Sequence, residues 1–342
     1  MKQPSARSSA KVKLRDVARE AGVSVATVSR VINKSESVRL ATRERIEATI
    51  AELGFTPNPL AKAFSAGRTR TVGAVIPTVG HAIFANFLNA LEGELSALGY
   101  ALVIATAGDD AQVECARVRA LLEMGAEGII VSGTAHEPEL TAMVEGFGVP
   151  LVYTSVFDPD ADRPTIGYDN AELAAEAVEH LTGLGHRRIA VLHGPTAGND
   201  RTRLRIDGAQ RAAAAVPGTQ VRLHQTELTE AAGVSAAQAL LAEEPGVTAI
   251  LCLSDVIALG VLFALARAGA HVPDQISVMG FDDLSWAQHA HPPLTAVHLP
   301  AERMGRTVGA ALVRHLEEGV PIEPTLLDGR VFVRASTAPP RG

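Results

Sequence analysis

The rhythm of apolar positions changes once along the chain, near residue 70. Before that point they recur at helical spacing. In LRDVAREA (14–21), Leu14, Val17, Ala18 and Ala21 share one face. Gly22 follows, with the φ freedom that a tight turn between helices demands. Ser24 stands where it caps a second helix, SVATVSRVIN, whose Val28, Val31 and Ile32 turn back toward the first. A third helix, 42–54, opens at Thr42 and Glu44 and ends on Gly54. Two short helices across a glycine turn are the helix-turn-helix geometry, whose second helix enters the DNA major groove. After residue 70, continuous apolar runs take over: VGAVIP (72–77), ALVIATA (101–107), GIIVSG (128–133), PLVYTS (150–155), IAVLHG (189–194), AILCLS (249–254) and ISVMGF (276–281). Amphipathic stretches such as FANFLNALEGELSALG and VIALGVLFALARAG separate them. Unalternating runs spaced by helices predict parallel strands covered on both faces, here enough for two doubly wound α/β lobes. Ligands bind such sheets beyond the carboxyl ends of the strands, so a cleft between lobes is expected.

Between the two patterns lies PNPLAKAFSA (57–66), bracketed by Pro57, Pro59 and Gly67. A helix this short cannot hold alone in water, because nucleation outweighs the few bonds that propagation adds below about 12 residues. It needs a partner, and its twin in a dimer on DNA is the natural one. Phe64 suits a wedge inserted into the minor groove; packing against the larger domain is the other place for it.

Composition narrows the function classes. At 47% hydrophobic and 20% charged the chain is globular, with no apolar run approaching the ~18 residues of a membrane helix. The opening MKQPSARSSAK has no apolar segment of a secretory signal, so a cytoplasmic location is expected. Cys115 and Cys252 form no metal or redox motif. His289 and His291 lie within reach of one metal but lack a third ligand, and no metal or other cofactor is expected. The net charge of −7 conceals a division: residues 1–70 carry 14 Lys and Arg against 6 Asp and Glu, whereas the remainder is acidic. Only the basic end is suited to a polyanion.

Candidate contacts follow from the pattern. Ser24 and Thr27 suit phosphate or backbone contact, Arg30 suits bidentate pairing with guanine, and Val25 and Ala26 suit thymine methyls. In the larger domain polar residues gather at strand ends: Asp169 and Asn170 in GYDN, Ser254 and Asp255 in LSD, and Asp282, Asp283 and Trp286 in GFDDLSW. One such aspartate is explained by helix capping; several at corresponding ends point to a shared cleft. Trp286 fits a cleft rim and a core position equally well.

The segment LRDVAREAGVSVATVSRVINKSESVRLATRERIEATIAELGFTPNPLAKAF resembles, without a gap, the headpiece and hinge of the LacI family of bacterial repressors, and the likeness continues through nearly the whole chain. The resemblance implies an N-terminal all-α DNA-binding domain and a sensor of the type I periplasmic-binding-protein fold. It assigns operator choice to Val25 and Ala26, base reading to Arg30, and backbone contacts to Thr27, Ser29 and Asn33. Lys13, Leu14, Ser24, Asn58, Ala61 and Phe64 complete the DNA-contacting set, with Phe64 where the family inserts leucine. In the sensor it assigns the effector to Phe84, Arg205 and Asp255, with Asp169, Asn170, Ser254 and Trp286 around them.

The expected layout is a disordered basic tail (1–10), a headpiece (11–56), a hinge helix and linker (57–70), and an effector-binding and dimerisation domain (71–335). Within the last, the first lobe takes about 71–168 plus 296–327 and the second about 169–295 plus 328–335. A disordered tail (336–342) follows. The implied partners are a pseudo-palindromic operator in double-stranded DNA, a small-molecule effector and a second copy of the chain, with no membrane. A sugar or sugar acid is the expected effector, a nucleobase the alternative; whether it releases DNA or promotes binding stays open. An enzyme and an exported sugar-binding protein are the rival readings. Neither explains the headpiece, and the chain lacks the phosphate-loop and nucleophile-elbow motifs.

Overall fold

The computed structural model describes residues 12–33, 38–55, 68–244 and 246–341, and the chain divides into two compact units, Met1–Arg70 and Thr71–Gly342. The basic tail 1–10 and the hinge segment 57–66, with Asn58, Ala61 and Phe64, lie outside the described residues.

In the first unit, α1 (Leu14–Glu20), α2 (Val25–Asn33) and α3 (Leu40–Leu53) enclose a small core of Val17, Ala18, Ala21, Val28, Val31 and Ile46. Gly22 turns the chain between α1 and α2 at φ 63°, and Gly54 ends α3 at φ 60°. Both values lie in the left-handed region that glycine enters without steric cost.

The second unit holds two six-stranded sheets. The first runs β11–β5–β4–β3–β1–β2, the second β12–β10–β9–β8–β6–β7. In chain order the first lobe has β1 (Thr71–Ile76), α4 (Ala82–Ala97), β2 (Ala101–Thr106), α5 (Ala111–Glu123), β3 (Gly128–Ser132), α6 (Pro138–Gly146), β4 (Leu151–Thr154) and β5 (Thr165–Gly167). The second lobe continues with α7 (Asn170–Gly183), β6 (Arg188–His193), α8 (Asp200–Ala214), β7 (Gln220–Gln225), α9 (Glu230–Glu243), β8 (Ala249–Cys252), α10 (Asp255–Arg267), β9 (Ser277–Asp282) and β10 (Thr295–His298). Then α11 (Ala301–Glu318) packs on α4, β11 (Thr325–Leu326) joins the first sheet, and β12 (Arg330–Phe332) joins the second. Only β12 pairs antiparallel. Strands β1, β3, β8 and β9 are buried almost throughout, as parallel sheets covered on both faces require, whereas the edge strands β2 and β7 are exposed or half-buried along their length. Five strands of each sheet share one order, and each order reverses beside its first strand, which opens a crevice at the carboxyl ends.

Two boundaries differ from expectation. Strand β10 stands in the second sheet, so the chain returns to the first lobe only after His298. The C-terminal segment is ordered rather than disordered. Ser336 is fully buried; its Oγ donates to Val278 O at 2.6 Å and accepts the Thr295 N–H at 2.8 Å. Thr337 meets His180 and Thr295, and Ala338 O meets His186. Polar, Pro-containing sequence predicts disorder when read alone; here the second lobe's buried polar groups supply its partners.

Candidate functional site

In the headpiece, α2 buries one face and exposes the other. Val28 and Val31 join the core, whereas Val25, Ala26 and Arg30 are exposed and Thr27 and Ser29 half-buried. Ser24 caps the helix: its Oγ accepts the Thr27 N–H at 3.1 Å and lies 2.8 Å from Thr27 Oγ1. Lys13 is exposed ahead of α1, its N–H bound to Asp16 Oδ2 at 3.0 Å. Leu14 is half-buried and packs on the core, so its contribution there is structural. Asn33 is the last residue of α2.

In the second unit a cavity of about 160 Å³ lies at the carboxyl ends of both sheets. Phe84 and His81 of the first lobe, Arg205 of α8, Ser254 at the head of α10 and Asp282 at the end of β9 all line it. Tyr168, Phe87, Ser155, Asp109, Asn199, Arg201 and Thr202 complete much of the wall. Ser155 (φ 66°), Asp282 (φ 127°) and Asp283 (φ 57°) hold backbone conformations that side chains rarely adopt, and all three stand at strand ends beside the cleft. Such strain persists where the surroundings over-determine it, characteristically at binding sites.

Arg205 is fixed on several sides. Its Nε donates to Asn170 Oδ1 at 2.9 Å, its Nη1 to Leu253 O at 2.8 Å, and the guanidinium lies 4.1 Å from the Phe281 ring centroid. Burial pulls its pKa down, against the nearby Tyr168 and Asp282. Asp282 is buried beside it; burial raises the carboxyl above the usual range, and the Arg205 charge opposes this only in part. Asp282 Oδ2 accepts from Ser254 Oγ at 3.0 Å and from the Asp255 N–H at 3.2 Å.

Of the seven sensor residues expected from sequence, Phe84, Arg205 and Ser254 meet in the cavity wall. The other four do other work. Asn170 is buried beneath the wall, where it spans Arg205 and Ser155 O and holds the guanidinium in place. Asp169 is an exposed cap that accepts the Glu172 N–H at 2.9 Å. Asp255 is fully buried behind the wall and accepts the Leu284 N–H at 2.7 Å, fastening the turn after β9. Burial and then the Asp282 charge push its carboxyl well above the ordinary range. Trp286 packs on the second lobe's core. Besides Asp109, the carboxylate that reaches the cavity is not Asp255 but Asp282, at the end of β9 in GFDDLSW. Its neighbour Asp283 faces away, paired with Arg334 at 2.7 Å and His298 at 3.1 Å.

Sequence reasoning also missed Asp109, Arg201 and His81. His81 Nε2 lies 3.2 Å from Leu228 O, a contact from lobe to lobe. Arg201 differs from an ordinary helix cation only by its place at the start of α8, a signal too weak to use alone. Among the described residues no group of three or more His, Cys, Asp or Glu is arranged to hold a metal, and none of their helices is long and apolar enough to cross a membrane.

Two family profiles match the chain. One, described as bacterial regulatory proteins of the lacI family, covers residues 13–58; the other, periplasmic binding proteins and the sugar-binding domain of the LacI family, covers 69–322. The chain is 33% identical to the HTH-type transcriptional regulator CelR of Thermobifida fusca over 94% of its length and 96% of the relative's. It is 30% identical to the regulator GntR of Escherichia coli over 92% and 95%. Among solved structures, the lac repressor dimer bound to operator and the anti-inducer ONPF superposes with TM-score 0.86 at 27% identity, covering 96% of this chain and all of that one. A CelR–cellobiose complex superposes with TM-score 0.68 at 31% identity, covering 95% and 99%.

Proposed function

The chain belongs to the LacI family of bacterial regulatory proteins, a sequence-specific DNA-binding transcriptional regulator under small-molecule control, and from that premise we propose that its effector is a neutral, ring-sized polyhydroxylated molecule. The observation that carries this reading is the state of the two cavity arginines. Arg205 is engaged by Asn170 and Leu253 O, and Arg201 by Ser132 O, Asp200 and Asp109. Neither presents an open fork to a ligand carboxylate, the feature that recognition of a sugar acid requires. The lining carboxylates Asp109 and Asp282 balance the two cations. Hydroxyls of Ser155, Ser254 and Thr202 and the faces of Phe84 and Phe87 supply what a polyol uses. A volume of 160 Å³ is below the roughly 300–1,000 Å³ of pockets for drug-sized ligands, so one ring fills it. The cellobiose bound by CelR supports a neutral, polyhydroxylated class, although it has two rings.

Two subunits pair through their sensors and present two headpieces to a pseudo-palindromic operator. Effector alters the separation of the hinges, and a coupling of about 1–3 kcal/mol changes operator affinity roughly 5–150-fold. The protein acts from the cytoplasm and performs no catalysis. The test is to select bound sequences from random duplexes and then screen metabolites against that complex in a gel shift. Neutral monosaccharides are expected to change the shifted fraction and the corresponding sugar acids to leave it unaltered; the reverse order of potency overturns the assignment.

A further inference from the structure

Helix α8 begins with two charged residues that reach across the cleft. Asp200 Oδ2 accepts the Thr134 N–H at 2.6 Å, the Thr134 hydroxyl at 3.1 Å and the Ala135 N–H at 3.2 Å, all from the first-lobe loop after β3. Arg201 Nη1 donates to Ser132 O at 2.9 Å, and Nη2 lies 3.4 Å from Asp109 Oδ1. Gly133 (φ 91°) lies so close that a Cβ there would stand 2.5 Å from both Arg201 Nη1 and Asp200 Oδ1. The contact is dry and charged on both sides, the setting in which a hydrogen bond is strong if made and costly if orphaned. Burial would raise the Asp200 carboxyl, but Arg201 and the Thr134 and Ala135 N–H groups hold it below its usual range.

The loop that receives Asp200 is itself braced by an ion pair in a buried place. His136 has a side chain only 3% exposed. Its Nδ1 lies 2.7 Å from Glu114 Oε2 on α5, its Nε2 lies 3.0 Å from Gly133 O, and its ring lies tilted by 39° against Tyr153 of β4, centroids 4.8 Å apart. Both partners are acceptors, one a carboxylate and one a carbonyl. Both ring nitrogens must therefore carry protons, which only the imidazolium does. Loss of one proton would turn a ring lone pair against an oxygen. The charged groups that act on the ring are Glu114 on α5 and Asp200 on α8.

We propose that Asp200 is the positioning residue that clasps the two lobes, and that protonated His136, through Glu114 and Gly133, keeps the receiving loop in shape, so that acidification closes the cleft and alkalinisation frees it. The clasp rests on the reading that lobe movement carries the effector signal to the hinge. Burial alone would lower the His136 pKa, but the hydrogen bond and charge of Glu114 and the bond to Gly133 O leave it above the ordinary imidazole value. A group raised in this way contributes its stabilisation in full below the unfolded value and loses it as pH rises through the folded one. The active window therefore lies above the ordinary imidazole value.

Lobe separation is measured directly, without any effector, by pulsed electron resonance between nitroxides on Glu123→Cys (α5) and Gln210→Cys (α8). The full-length protein is mixed with excess unlabelled subunits so that only pairs within one subunit count. At about pH 6 the parent is expected to give one narrow separation, and at about pH 9 a second, longer component. His136→Gln and Glu114→Gln should show the same mixture at both pH values, and Asp200→Asn the longer component throughout. His289→Gln, at an exposed histidine of the second lobe, should retain the parent's pH response. A parent distance unchanged across the range, or an equal pH response in His136→Gln, overturns the proposal. Operator affinity of the same samples separates the two readings: distances that move while affinity stays level uphold the clasp and refute coupling through lobe movement.

Discussion

In the headpiece, Val25, Ala26 and Arg30 stand out from a single helix whose other face, Val28 and Val31, is core. In the cleft, Arg205, Ser254 and Asp282 come from the start of α8, the head of α10 and the end of β9, and each is buried and bonded to a neighbour. One surface recognises by exposure, the other by enclosure. The first tolerates truncation of a contact without loss of fold; the second couples recognition to stability, because its polar groups have no water to replace a missing partner.

Arg205→Ala tests that coupling hardest. It leaves Asn170 Oδ1 and Leu253 O without their buried donor, and each acceptor orphaned in this way costs about 1–3 kcal/mol. Calorimetry should show the sensor's transition fall by several degrees while that of the headpiece stays in place; an unshifted sensor would break the contrast. Next comes Ile46→Ala, at a fully buried site in a core of six residues, with an expected cost of about 2–5 kcal/mol. Here operator binding should be lost while sensor melting persists, and joint melting would refute two separate units. Arg30→Ala should cost about 1–3 kcal/mol of specific operator binding, leave non-specific binding nearly intact and not move either transition. Equal loss on both duplexes would demote Arg30 to a phosphate contact. The smallest effect is expected for Asp255→Asn. Burial pushes its carboxyl well above the ordinary range, so the amide is a near match for the protonated form, and stability at acid pH, where the parent carboxyl is protonated folded and unfolded alike, should change by less than about 1 kcal/mol. A group whose folded value is raised weakens the fold as pH rises from its unfolded value toward the folded one. The variant should therefore lose less stability than the parent over that window, by thermal melts at successive pH values.

The same contrast governs what the chain discloses in one dimension. Headpiece residues lie within one stretch, and the period of 3.6 states which of them face out, so the helices and their exposed face are legible. The seven long apolar runs disclose β1, β2, β3, β4, β6, β8 and β9. Strand β7 is hidden because an edge strand with a polar pattern, QVRLHQ, carries no continuous run. In the cleft, local signals separate a cap from a ligand contact poorly. Asp169, Asp255 and Asp282 all follow strands; only the fold shows that the first caps α7, the second fastens a turn and the third faces the cavity. Arg201 and His136 are invisible to periodicity because their partners lie in another lobe or beyond a glycine turn.

The buried C-terminal stitch at Ser336 bears on the order in which a nascent chain matures. The DNA-reading helices leave the ribosome before the sensor, and Ser336, which knits β9 to β10, leaves after every strand of it. At about 5–20 residues per second, the intervening 272 residues take roughly 15–55 s to translate. For that interval the cell holds a finished reading head on an unfinished receiver, and the receiver cannot be completed until the Ser336 stitch has been made.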